Sequence, residues 1–159
     1  MNKTRRLIIS IALLGIIYWL FVWLQPQPFE REYSSIIYST ADQSFARSTD
    51  IKLKGNKYRK LLGPDIFVGE LTADHDLNYK IKLEGGKTPY SGLITAHDAT
   101  KATRSIGIVT VSFNFDKIWM ELDDINRRYK LQEGDGYISS PAKNREEAIL
   151  ISHLIAAGK

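Results

Sequence analysis

Residues 105–123, SIGIVTVSFNFDKIWMELD, decide the reading of the fold. Val109, Val111, Phe113 and Phe115 fall on one face of an extended chain, and Ile106, Ile108, Thr110 and Ser112 on the other. Successive side chains point to opposite faces of a strand, so this strand is apolar on both sides. Such a strand is central in a sheet or is covered by a helix. Residues 113–116 then turn the chain. Beyond them Ile118, Met120 and Leu122 alternate with Lys117, Trp119 and Glu121, the pattern of a half-buried strand.

The alternation extends outward from this hairpin. Ile51 and Leu53 interleave with Asp50, Lys52 and Lys54, and Ile81 and Leu83 with Lys80, Lys82 and Glu84. Turn signals recur at Gly55-Asn56, Gly63-Pro64-Asp65, Gly85-Gly86 and Gly134-Asp135-Gly136. Strands are predicted over 34–39, 47–54, 65–73, 78–84, 91–97, 104–113, 117–123 and 136–139. The period then changes. Ala148, Ile149, Ile151, Leu154 and Ile155 take helical spacing, Asn144 and Glu147 form a capping box, and Gly158 ends a helix predicted over 145–157.

Residues 7–24, LIISIALLGIIYWLFVWL, hold no charge. As a helix they span roughly 27 Å, near the hydrocarbon thickness of a bilayer. Tyr18, Trp19 and Trp23 crowd one end, where aromatic rings favour the membrane interface. Lys3, Arg5 and Arg6 precede the run, which sets the N-terminus in the cytoplasm and the remainder outside the cell membrane. The apolar core is longer than that of a signal peptide and lacks an A-x-A site, so an uncleaved single-pass anchor is expected. The lipid bilayer is then the first partner. The predicted organisation is a cytoplasmic stub over 1–6, a transmembrane helix over 7–24, a linker over 25–32 and an extracytoplasmic domain over 33–159. The fold class expected is α+β: the transmembrane helix, then an antiparallel meander-like sheet of about 7–8 strands, curled or folded into two layers, with one C-terminal helix packed on it.

Charge excludes some function classes. The net charge is +4, with 22 basic and 18 acidic residues. Taking Lys3, Arg5 and Arg6 from the 22 leaves 19 against 18, so the domain is nearly neutral and offers no general footprint for nucleic acid. There are no cysteines, which excludes disulfides, thiol catalysis and zinc–cysteine sites.

Candidate chemistry is sparse. Asp74-His75-Asp76 offers metal-capable side chains, and His97-Asp98 ends another strand, but adjacent residues in an extended turn point apart. An Asp-rich turn explains the first cluster and a strand end the second. No G-x-S-x-G, phosphate loop or dinucleotide fingerprint is present, and no cofactor is expected. Lys52, Lys54, Lys57, Arg59 and Lys60 gather around Tyr58 and suggest contact with an anionic surface, lipid headgroups or a wall polymer, against the plainer reading of a solvated strand face.

Two stretches, GNKYRKLLGPDIFVGEL over 55–71 and SSPAKNREEA over 139–148, carry a family resemblance. With the N-terminal apolar run, they resemble a group of small single-pass membrane proteins of Gram-positive spore-forming bacteria. The resemblance implies an envelope location and no activity. Three functions are weighed: a non-enzymatic binding or accessory module that contacts an envelope protein, wall polymer or lipid; a sensor or regulatory subunit acting through a membrane partner; and a metal-dependent hydrolase using His75 and His97.

Overall fold

The computed structural model describes residues 3–97, 103–132 and 134–158. The chain runs α1 (Lys3–Trp23), β1 (Gln27–Ser39), β2 (Ala46–Tyr58), β3 (Asp65–Ala73), β4 (Leu77–Gly85), β5 (Tyr90–His97), β6 (Thr103–Val111), β7 (Ile118–Leu122), α2 (Asp123–Tyr129), β8 (Gly136–Ser140) and α3 (Arg145–Ala156). β3 to β8 lie within two residues of where the alternation puts them, but β1 begins at Gln27, inside the expected linker over 25–32, and β2 runs on through Gly55-Asn56, read as a turn, to Tyr58. Their assembly differs from the fold expected. They form one closed antiparallel barrel, each strand paired with its sequence neighbour and β8 with β1. This corrects the curled or two-layered sheet.

Closure comes from the length of β1. Its residues from Gln27 to Tyr38 pair with β2, while Ile36, Ile37, Tyr38 and Ser39 pair on their other side with Ser139, Ile138, Tyr137 and Gly136. Alternation reports which side chains turn inward. It does not report whether the last strand meets the first, so barrel and open sheet read alike in the sequence.

The inward rows fill the barrel. Ile37, Ile51, Leu53, Phe67, Leu71, Leu83, Val109, Val111, Ile118, Met120, Leu122 and Ile138 are all fully buried. An eight-stranded barrel is just wide enough for such side chains to close its interior. One end is stoppered by Phe115, also fully buried, whose ring lies 4.9 Å from Phe29, 5.4 Å from Phe67 and 4.7 Å from Tyr90 by centroids. Phe115 holds a left-handed backbone (φ 59°), and its carbonyl accepts from Tyr33 Oη at 2.7 Å. Gly55 makes room on the wall beside this stopper, since a Cβ there would lie 2.8 Å from the Phe67 ring. Phe113, which the alternation puts on one face with Val109 and Val111, sits in the turn and is exposed.

The opposite end is closed by α2, which sequence reasoning reads as a strand end. Asp123 and Asp124 open this helix and Arg127 and Arg128 close it, matching the dipole. Seven residues are too few for a clear helical period. Ile125 plugs the barrel, and Asp74, Arg128 and Tyr129 bind α2 to the β3–β4 turn.

The C-terminal helix forms as the capping box specifies, with the Glu147 amide donating to Asn144 Oδ1 at 2.9 Å. It lies outside the barrel, where Ala148, Ile151 and Ile155 cover the outward residues Ile36 and Tyr38.

The anchor expectation is also corrected. Among the described residues no helix is long and apolar enough to cross a membrane. The single-pass, signal-anchor assignment falls with this, and so does the cell-membrane location with the domain outside, which rested on it.

Candidate binding groove

With both barrel ends stoppered and the interior packed, the space for a ligand lies on the outer wall. A groove of about 630 Å³ runs between the barrel and α3. Its floor follows from strand register. Ser91 on β5 pairs with Thr110 on β6, and Thr110 pairs with Trp119 on β7, so three outward side chains stand in one row across the wall. Ser91 Oγ and Thr110 Oγ1 are 3.3 Å apart. Beyond Trp119 the floor becomes aromatic. The rings of Trp119 and Tyr137 stack with centroids 5.8 Å apart, and Tyr137 lies 5.7 Å from Tyr38. Trp119 and Tyr137 are only half-buried, so part of each ring faces the groove.

The wall is the polar-to-apolar boundary of α3. Ile149, Ile155 and Ala156 supply apolar surface, with Ser152 and His153 among them. Thr88 and Pro89, from the turn between β4 and β5, form the facing rim. Among the described residues, His153 is the one His, Lys, Arg, Asp or Glu side chain lining the groove. Ser152 Oγ donates to the Ile149 carbonyl at 2.7 Å, which ties its hydroxyl to the helix backbone. Burial, helped by the charges of Glu121 and Asp135, pushes the Tyr137 hydroxyl up from its ordinary value, so it stays a neutral donor. That hydroxyl donates to the Gly134 carbonyl at 2.7 Å.

The residues singled out from sequence lie elsewhere. Tyr18 and Trp19 are exposed on α1, and Trp23 stacks on Trp19 at 6.4 Å. The basic group is divided. Lys52 pairs with Glu30 at 3.1 Å and Glu32 at 3.0 Å, and Lys54 with Glu30 at 3.4 Å. Arg59 lies over the Trp23 ring at 5.5 Å, and the Lys60 amide donates to Asp65 Oδ1. Lys57 belongs to the inward row with Ile51, Leu53 and Gly55. Its ammonium sits 3.6 Å from the Phe115 ring centroid and 4.9 Å from that of Phe29. Burial, with Arg59 nearby, holds its pKa below the usual lysine value.

Asp74 and Asp76 both pair with Arg128 at 2.7 Å, and Asp74 also accepts from Tyr129 and Thr49. His75 is exposed in that turn, with a left-handed backbone (φ 70°). The His97 side chain and Asp98 lie outside the described residues. Among the described residues no three His, Cys, Asp or Glu side chains are grouped to hold a metal.

Sequence reasoning missed the groove. Its signal was present: Trp119 sits on the polar face of its strand, between Lys117 and Glu121, where an aromatic ring has no core to fill. No family model, curated protein or solved structure matches the chain.

Proposed function

We propose that this protein is a non-enzymatic binding module that holds a neutral, ring-bearing ligand, a sugar unit of an oligosaccharide, in the groove beside α3. The observation that carries this reading is the join of a half-exposed Trp119–Tyr137 stack to the Ser91–Thr110 hydroxyl pair on one uncharged floor. A pyranose ring presents apolar C–H faces and a rim of hydroxyls. Aromatic rings carry negative faces and positive edges that suit the first, and side-chain hydroxyls exchange hydrogen bonds with the second. The groove volume falls within the usual range for small-ligand sites, roughly 300–1,000 Å³. The engagement of Ser152 with its own helix and the pairing of Asp74 and Asp76 with Arg128 support a role without chemistry.

The test is titration of the full chain with cellotetraose, maltotetraose and chitotetraose, read by tryptophan fluorescence. At least one should give a saturable change, and Trp119→Ala should weaken it by tenfold or more, about 1.4 kcal/mol. A flat response to all three, or equal affinity in Trp119→Ala, would overturn the reading.

A further inference from the structure

Three connections meet at the barrel end that Phe115 closes. The β2–β3 loop follows the pair Tyr58↔Ile66, the β4–β5 turn joins Gly85 to Tyr90, and the β6–β7 turn follows Val111↔Ile118. The chain enters the barrel from α1 at the same end, because β1 begins at Gln27 opposite Lys57. A crevice there brings Trp23 of α1 together with Lys60, Leu61, Leu62 and Lys87. The tips of two of these connections are apolar and bare. Leu62 has 89% of its surface exposed and Leu61 61%, and Phe113 in the β6–β7 turn has 63%. The core is filled without them, so their exposure serves no packing.

We infer that this end of the barrel is a docking surface for an anionic lipid bilayer, with the loop tips seated among the headgroups. Charge specifies the occupant first. Lys60 and Lys87 are exposed beside the leucines, and neither has an ion pair among the described residues. The acids at this end are already engaged. Asp65 accepts from the Lys60 amide, Asp116 pairs with Lys117 at 3.0 Å, and Glu84 pairs with Lys82 at 2.9 Å. A cationic rim is left around apolar tips, and each basic side chain near an anionic surface adds attraction. Shape specifies it second. Leu61, Leu62 and Phe113 stand on separate tips, which a fluid interface receives together and a rigid partner receives only with a socket for each. The aromatic end of α1 agrees: Trp23 lies under Arg59 at 5.5 Å and stacks on Trp19, and indole rings favour the headgroup layer. The contact is peripheral, made by side chains at loop tips, and requires no segment to cross the bilayer. It does not rest on the sugar reading of the groove and would stand if that reading failed.

The test is binding of the full chain to phosphatidylcholine vesicles with and without about 30% phosphatidylglycerol, read by co-sedimentation. The anionic vesicles should bind at least tenfold more tightly, and added salt should remove that difference. The double variants Leu61→Asp, Leu62→Asp and Lys60→Glu, Lys87→Glu should each lose tenfold or more on anionic vesicles, with melting temperatures unchanged because all four positions are exposed. The chain has no cysteine, so Leu62→Cys takes a single polarity-sensitive dye. That dye should shift to the blue on anionic vesicles, while the same dye on Gln43→Cys, in the turn at the opposite barrel end, should not. Equal binding to the two kinds of vesicle would overturn the proposal. So would full binding by both double variants, which would assign the lipid contact to α1 alone, or a blue shift of the Leu62→Cys dye that follows protein concentration without vesicles, which would make the surface a contact between copies of the chain.

Discussion

Tyr38 on β1 and Tyr137 on β8 face each other across the pair that closes the barrel, with ring centroids 5.7 Å apart. Tyr38 is almost completely buried under α3, while Tyr137 reaches the groove. One contact therefore seals the cylinder and builds the floor beside it. The barrel's first and last strands, the C-terminal helix and the candidate site depend on each other through these two rings.

Tyr38→Ala should remove a buried ring and the hydroxyl that accepts from Ser139. Large-to-small changes of this kind cost about 3–5 kcal/mol. Denaturant unfolding should show the loss, and the melting temperature should fall by roughly 6–20 °C for a domain of this size. A variant as stable as the parent would mean that the β1–β8 closure carries little of the fold.

Asp74 is buried and accepts from Arg128, Tyr129 and Thr49, which join α2 to the β3–β4 turn. Asp74→Asn should cost about 3 kcal/mol, because it breaks a buried ion pair and leaves the donors without their charge partner. Asp76→Asn, at an exposed, solvent-screened position on the same arginine, should cost distinctly less. Equal losses in the two variants would contradict the assignment of Asp74 as the brace.

Asp135 sets an acid limit. Burial works to raise its carboxyl, but donation from Ser39, Thr40 and Ala41 outweighs this and holds it below the ordinary value of 3.8. A carboxylate with a depressed folded pKa adds stability above the unfolded value and loses it as the pH falls through the folded one. Stability of the parent should therefore fall as the pH drops below about 4. Asp135→Asn should be less stable at pH 7 and show a shallower acid slope, measured by urea midpoints from pH 2 to 7. An unchanged slope would remove Asp135 from this role.

Lys57 gives the opposite limb. Its folded pKa lies below 10.5, so the unfolded chain holds the proton more tightly, and this group adds stability as the pH rises toward that value. Tyr33 opposes it: burial pushes its hydroxyl up to about 12, so its contribution is lost as the pH rises above 10. The difference between the parent and Lys57→Met isolates the lysine. Lys57→Met should be within about 1 kcal/mol of the parent at pH 7 or more stable, and the gap should shift in the parent's favour from pH 8 to 10.5. A pH-independent difference would show the ammonium to be solvated.

Much of this fold was legible from local pattern. Ile118, Met120 and Leu122, or Ile51 and Leu53, announce their strands because side-chain parity is a local property. Asn144 and Glu147 announce α3 for the same reason. Closure was not legible, because the Tyr38–Tyr137 pairing joins residues far apart in the chain. The short α2 was hidden by its length. Lys57 shows a missed inference of another kind. It shares parity with Ile51, Leu53 and Gly55, which places it inside the barrel mouth and apart from Lys52 and Lys54. The groove depended on register across β5, β6 and β7, so only Trp119, out of place on a polar face, hinted at it.

The decisive measurement maps where ligand sits on the 15N-labelled full chain as a neutral tetrasaccharide is titrated in. The account expects shifts at Ser91, Thr110, Trp119, Tyr137 and Ser152, with the amides of Leu53, Leu71 and Leu83 unmoved. Shifts centred on those inward residues would place the ligand within the barrel and contradict a packed interior with its site on the outer wall.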